Sequence, residues 1–246
     1  ATTDRECAPT VTVNLPTSGS AKVEIPVKDV TPGTVAILIK ADGTEEVLKA
    51  SLPTENGVAV PLSDGDTVKL VDNSKKFADV PGSYWAADTI AFVTSRELFA
   101  GTTADTFAPD TAMSRAMIVT VLARLEGMDT ATGDTWYEAG RQWAMASGVS
   151  DGTNMEQGLS RQQLATMLWR YAQAKGYDVS IGEDTNILSY TDAFDVAEYA
   201  IPAMQWAVGA GIISGTSTDT LSPQGPATRA QVATMLMRFC EKTASW

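Results

Sequence analysis

Three stretches of this chain open in the same way: Ser114-Arg115-Ala116-Met117, Ser160-Arg161-Gln162-Gln163 and Thr228-Arg229-Ala230-Gln231. Apolar residues follow each at helical spacing, namely Ile118, Val121, Leu122 and Leu125, then Leu164, Met167, Leu168 and Tyr171, then Val232, Met235, Leu236 and Phe239. A chain that repeats a capped helix three times is constrained to a repeat architecture, because each copy needs its neighbours to cover its apolar face. A hydroxyl residue at the N-cap and a glutamine three positions on form a capping box. The arginine between them breaks the rule, since a cation in the first turn opposes the positive end of the helix dipole. Its threefold recurrence marks Arg115, Arg161 and Arg229 as candidates for function. A second arginine follows each after nine residues, at Arg124, Arg170 and Arg238. These come near the helix C-terminus, where a cation is favoured, and on the opposite face from the first, so they read as structural.

Composition narrows the chemistry. Hydrophobic content of 44% with 20% charged residues is that of a globular chain. A net charge of −12 and a pI near 4.4 argue against nucleic acid and against an anionic membrane surface. An anionic ligand would have to be met by a local arginine site. The chain has no histidine, which removes the Ser-His-Asp and Cys-His arrangements and the commonest metal ligand. Cys7 and Cys240 lie at opposite ends with no metal spacing around either, and in an exported protein they could pair with each other. No metal and no cofactor is expected. No apolar run approaches the ~20 residues that cross a bilayer, so no membrane insertion is expected. The N-terminus lacks a signal-peptide pattern, so an exported protein with this sequence would be a mature chain or a piece of one.

Residues 1–74 read as a small β-module, sandwich-like, serving as spacer or adaptor. Strand patterns occur at 10–15, 22–27, 35–39, 46–49, 58–60 and 67–71, separated by Pro32-Gly33, Asp42-Gly43, Asn56-Gly57 and Asp64-Gly65. Asp42-Gly43 is a hairpin signal. Pro26 and Pro61 within strand patterns mark edges or bulges. After Lys76 the alternation stops, and all six tryptophans lie beyond it. Three repeats are then expected, at 75–128, 129–176 and 177–246.

The first and third repeats correspond closely. Phe77-Ala78-Asp79 matches Tyr190-Thr191-Asp192, Trp85 matches Tyr199, Gly101-Thr102 matches Gly215-Thr216, and Phe107-Ala108-Pro109 matches Leu221-Ser222-Pro223. The second repeat keeps Trp136, Gly152-Thr153 and its helix, lacks the opening aromatic-x-Asp, and reads as having lost the aromatic-x-Pro loop. This ordered set resembles the S-layer homology repeat, of which three tandem copies are the usual number. The resemblance covers residues 77 to about 240 and does not extend to the β-module.

The resemblance implies an α+β multidomain chain whose second part is an all-α pseudo-threefold bundle, with the arginine-led helices lining grooves between repeats. It implies non-covalent anchoring of a surface protein to the bacterial cell wall, outside the cell. The expected partner is a secondary cell-wall polysaccharide carrying pyruvylated N-acetylmannosamine, or modified peptidoglycan. The groove residues carried over are Asp79, Gly101 and Arg115, Asp192, Gly215 and Arg229, and, from the second copy, Gly152 and Arg161. The residues themselves agree with such a site. A helix N-terminus offers unpaired amides to an anion, and a guanidinium adds a planar carboxylate receptor. Trp85, Trp136 and Tyr199 could supply flat faces for a sugar ring, although tryptophans read first as core. The three glycines read first as helix C-caps and second as groove floor. Two other classes compete with a binding module that is not an enzyme. One is a protein-interaction scaffold within the surface layer; the other is a hydrolase with paired carboxylates, for which no carboxylate motif speaks.

Overall fold

The structure is a computed structural model that describes residues 5–6, 9–16, 19–180 and 184–243. Cys7 lies outside the described residues, and with it the pairing of Cys7 with Cys240. The chain is α+β and divides into two compact units, Ala1–Ala108 and Pro109–Ser245.

The first unit contains two small antiparallel sheets. One has the order β1 (Arg5–Glu6), β8 (Thr67–Asp72), β4 (Thr34–Ile39), β5 (Glu45–Val47), with β2 (Val11–Thr12) also pairing β8. The other runs β3 (Ser20–Pro26), β7 (Gly57–Ser63), β6 (Leu52–Pro53). The sheets share an apolar core, to which β4 and β8 give Ala36, Val68 and Leu70 and β3 and β7 give Ile25, Val58, Val60 and Leu62. Val35, Ile37 and Val71, on the other face of β4 and β8, are buried as well. Burial on both faces explains why β4 is a continuous apolar run, whereas β8 carries Lys69 on that outer face, buried and paired with Glu45 at 2.8 Å.

The turn chemistry acts where expected. Asp42 accepts the Thr44 amide at 2.9 Å, Gly43 adopts φ +81°, and β4 pairs with β5 across the turn. Pro26 ends the edge strand β3. Pro61 sits inside β7 but opposite Lys22 of β3, and β6 reaches only Val58 and Ala59, so no ladder bond is lost on that side.

Helix α1 (Ala87–Ser95) belongs to the same unit and packs beside β4. Its C-cap, Arg96, is fully buried. Its guanidinium donates to the carbonyls of Ser51 (2.8 Å), Pro32 (2.9 Å), Thr34 (3.2 Å) and Phe92 (3.0 Å), and lies 3.7 Å above the Phe92 ring. Carbonyls from the helix end and from three places in the β-module thus converge on one cation. Nothing in the periodicity of the sequence announces it.

In the second unit the three arginine-led helices are α2 (Arg115–Leu125), α4 (Arg161–Ala174) and α6 (Arg229–Thr243), with the shorter α3 (Glu138–Ala146) and α5 (Ile201–Gly209) between them. Gly140 of α3 lets α3 approach α2 closely, because a Cβ there would lie 2.8 Å from the Thr120 Cα. The residues just before the three caps form a closed ring. Met113 N–H donates to Ala227 (2.9 Å), Ala227 N–H to Leu159 (2.8 Å), and Leu159 N–H to Met113 (2.7 Å), and all three residues are buried. The helix starts are fixed about this ring.

Arg96→Met removes the donors from four buried carbonyls while keeping most of the volume. We expect it to destabilise the first unit by about 3 kcal/mol in urea unfolding. A loss under about 1 kcal/mol would show that the carbonyls find other partners.

Candidate ligand-binding groove

The helix starts place the arginines, so their amides come first. In α4, Ser160 and Gln163 form the reciprocal capping box. In α6, Thr228 and Gln231 exchange the same two bonds, and in α2 Ser114 caps Met117. The amides ahead of these are occupied too. Arg115 and Ala116 donate to Gln157 and Met155, Arg161 and Gln162 to Gly225 and Pro223, and Arg229 and Ala230 to Thr111 and Pro109. The unpaired amides expected to receive an anion are therefore already bonded to backbone carbonyls. The helix ends are not open anion sites.

With the ends quenched, the arginine side chains reach into loops. Arg161 is 3% exposed and donates from Nε to Leu221 O (2.8 Å) and from Nη2 to Ser214 O (2.7 Å). Burial pushes its pKa down, and the charge of Asp192 pushes the other way; arginine starts so high that it stays cationic. Arg229 is buried as well, at 8% exposure. Arg115 is half-buried: Nε donates to Thr153 O (3.1 Å), and Nη2 to Asp151 Oδ1 (2.7 Å) and Ser150 Oγ (3.3 Å).

The opening aspartates hold the same kind of loop. Asp192 accepts the amides of Leu221 (2.8 Å) and Ser222 (2.7 Å), and Asp79 those of Phe107 (2.9 Å) and Ala108 (2.7 Å). Ser222 and Ala108 are left-handed, at φ +54° and +57°. Asn154 at φ +53° takes the corresponding place in the middle copy, where Met155 O stands in for Pro109 O and Pro223 O. The middle loop is therefore shortened, and the expectation that it had been lost is corrected.

The glycines are not helix C-caps, another correction. Helices α1, α3 and α5 have Arg96, Ser147 and Ala210 as their C-caps, and the left-handed residues that follow are Glu97, Gly148 and Gly211. Gly101 and Gly215 belong to the next turn, where a Cβ would lie 2.4 Å from Thr103 O and 2.3 Å from Ser217 O respectively. Gly152 is buried at φ +71°, against Met145.

The aromatic residues separate by position. Trp206 is core, whereas Trp85, Trp136 and Tyr199, at the matched position before each short helix, are 63%, 57% and 52% exposed. Two cavities in the second unit use two of them. One, of about 300 Å³, is lined by Arg115, Ser150, Asp151, Gln163, Thr166, Met167, Arg170 and Tyr199. The other, of about 390 Å³, lies along Arg124, Thr130, Asp134 and Trp136, with Arg124 Nε donating to Thr130 Oγ1 at 3.0 Å. Burial pushes the pKa of Arg124 down. Arg238 donates to Ser214 Oγ at 3.3 Å.

The first cavity thus collects Arg115 from one copy, Asp151 and Arg170 from the next, and Tyr199 from the third. Sequence reasoning missed Asp151 and set Arg170 aside as structural. The signal was available: Gln163, Thr166 and Arg170 recur at spacings of three and four, which is one helix face.

Comparison with known proteins agrees with the motif. Two segments, residues 76–116 and 189–233, match the model of the S-layer homology domain. They contain Asp79, Gly101 and Arg115, and Asp192, Gly215 and Arg229; the stretch with Arg161 lies between them. S-layer homology domains anchor proteins to the bacterial cell wall and are found at the cell surface. The chain is also 26% identical over 76% of its length to an endoglucanase of Bacillus sp. (strain KSM-635), and over 74% to the exoglucanase XynX of Acetivibrio thermocellus. An amylopullulanase of Thermoanaerobacterium thermosulfurigenes is 26% identical over 70% of the chain. The matched regions cover only 21%, 18% and 10% of those proteins. Among the described residues, no helix is long and apolar enough to cross a membrane.

Two outcomes are expected. Asp192→Asn leaves one acceptor oxygen for two amides, so hydrogen exchange at Leu221 and Ser222 should quicken by one to two decades, for a local cost of about 2 kcal/mol. Exchange unchanged from the parent would refute the clamp. The second concerns pH. The Thr153 amide first, then the Thr153 hydroxyl and Arg115, hold the Asp151 carboxyl below the usual carboxylate range. A lowered folded-state pKa means the contact is complete above the unfolded value near 4 and is lost as pH falls through the lower folded value. The Arg115 Nε resonance should stay constant from about pH 7 to 5 and move only below about 4. A midpoint above 5 would contradict it.

Proposed function

We propose that this chain anchors a surface protein to the bacterial cell wall by binding an acidic wall polysaccharide, with pyruvylated N-acetylmannosamine as the recognised sugar. In this reading the three arginine-led helices belong to three S-layer homology copies, the middle one reduced, and the glycan lies in grooves between copies. The observation that carries it is the 300 Å³ groove, where two arginines from successive copies face an exposed aromatic ring from a third. A planar guanidinium matches a ketal carboxylate, and a flat ring takes the apolar face of a sugar. The positive groove stands out from a chain of net charge −12. The anchor is not itself an enzyme. The relatives that match are named as glucanases and a pullulanase, and the chain spans about a fifth of them or less, the share expected of an attachment module.

Leu188 and Phe194, 65% and 89% exposed, favour a second reading, an interaction scaffold within the surface layer. Co-sedimentation with purified wall polymer separates the two. The chain should pellet with polymer carrying the ketal and stay in solution after mild acid has removed the pyruvate. Added salt should weaken the pelleting, as for a partly exposed charge contact. Equal pelleting with both polymers would refute recognition of the acidic sugar, and pelleting only with surface-layer subunits would favour the scaffold.

A further inference from the structure

Arg161 and Arg115 each reach into the loop that follows the next short helix. Arg161 Nη2 donates to the Ser214 carbonyl at 2.7 Å; Arg115 Nη2 donates to the Ser150 hydroxyl at 3.3 Å and to the Asp151 carboxylate at 2.7 Å. The helix ends set the correspondence: the Ser150 amide donates to Ala144 O as the Ile213 amide does to Ala207 O, so Asp151 matches Ser214 and Gly152 matches Gly215. A carboxylate stands at Asp151 where the matching residue, Ser214, has a hydroxyl. It takes Nη2 of Arg115 at 2.7 Å and also accepts the Thr153 amide at 3.0 Å, so it is fixed from two sides. Its side chain is 66% exposed and that of Arg115 only 14%, so the carboxylate forms the outer surface of the pair. An acidic ligand approaching Arg115 meets a negative charge first.

Arg170 is placed differently. It lines the same groove, is exposed, and has no hydrogen-bond or ion-pair partner among the described residues. Tyr199 lines the groove with it and is half exposed. The groove thus contains one arginine neutralised in place and one arginine open.

We propose that Asp151 occupies the anion seat of Arg115, so that in this groove the acidic group of a ligand is taken by Arg170 beside Tyr199. Asp151 is then the residue that sets the selectivity of this groove, and Arg115 is a positioning residue for the loop. The sugar identity rests on the wall-glycan reading above; the choice between the two arginines does not.

The test has two arms, both read on the Arg Nε–Hε resonances of the whole chain. In the first, sodium pyruvate alone is titrated into the parent chain and into Asp151→Asn, which keeps the shape and removes the charge. Arg170 should shift in both, and Arg115 only in Asp151→Asn. A larger shift at Arg115 than at Arg170 in the parent overturns the proposal. In the second arm, the ligands are the methyl glycoside of N-acetylmannosamine and its 4,6-pyruvate ketal. Arg170→Ala should weaken binding of the ketal about tenfold and that of the neutral glycoside little, the difference expected from one charge-assisted contact. Asp151→Asn should strengthen binding of the ketal several-fold. Equal losses for both sugars in Arg170→Ala overturn the proposal. A pyruvate response at Arg170 with neither sugar bound supports the seat and refutes the wall-glycan reading.

Discussion

Each helix N-terminus exposes amides that the helix cannot satisfy, and in the second unit three such ends meet in a buried ring. That convergence is stable only because every end is served by a neighbour. Met113, Leu159 and Ala227 pass one hydrogen bond around the ring, and the first two amides of each long helix donate to carbonyls of the next segment. The third amide goes to its own hydroxyl cap. Breaking any link would strand a buried donor at a cost of about 1–3 kcal/mol. Since no copy supplies the acceptors for its own helix, a single copy could not close its N-terminus. The need for several copies lies in the backbone as much as in the apolar faces.

The same closure explains the arginines. A cation in the first turn is unfavourable when it faces bare N–H groups. Here those groups are bonded to carbonyls, and the guanidinium extends beyond them to further carbonyls, Leu221 and Ser214 for Arg161 and Thr153 for Arg115. Asp192 fixes the loop that presents Leu221, so carboxylate, loop and arginine form one connected structure. The recurrence that marked the arginines for function therefore has a structural cause in part, and Arg161, 3% exposed, is the clearest instance. Arg96 follows the same logic in the first unit, a cation held by carbonyls at a helix end.

Much of this was legible in the sequence, and for physical reasons. Strand runs and turn residues act locally, so β4, β5, β7 and β8 fall where the pattern places them, and Asp42-Gly43 turns the hairpin. The capped helices were legible because a capping box is a four-residue event. What escaped was long-range. The partners of Asp192 lie 29 and 30 residues away, and those of Arg161 lie 60 and 53 away. No window of periodicity spans such distances. The glycines were misplaced because a Gly-Thr pair beyond a helix resembles a C-cap, whereas the left-handed residues had already appeared at Glu97, Gly148 and Gly211. Arg170 was set aside because faces were compared within one helix, while the groove is assembled from different copies.

The middle segment holds its short loop in a different way from the outer two. In the outer copies the loop carboxylate comes from the opening motif, from Asp79 or Asp192, and both its oxygens face backbone amides. The middle copy has no such aspartate, and its loop is held instead by Asp151, two residues from the Thr153 amide that it accepts. A carboxylate inside the loop cannot turn away from the groove as a distant one can. It lies on the groove wall, with most of its surface in water and one oxygen on Arg115. The carboxylate that holds the loop therefore also sets the charge of the groove beside it.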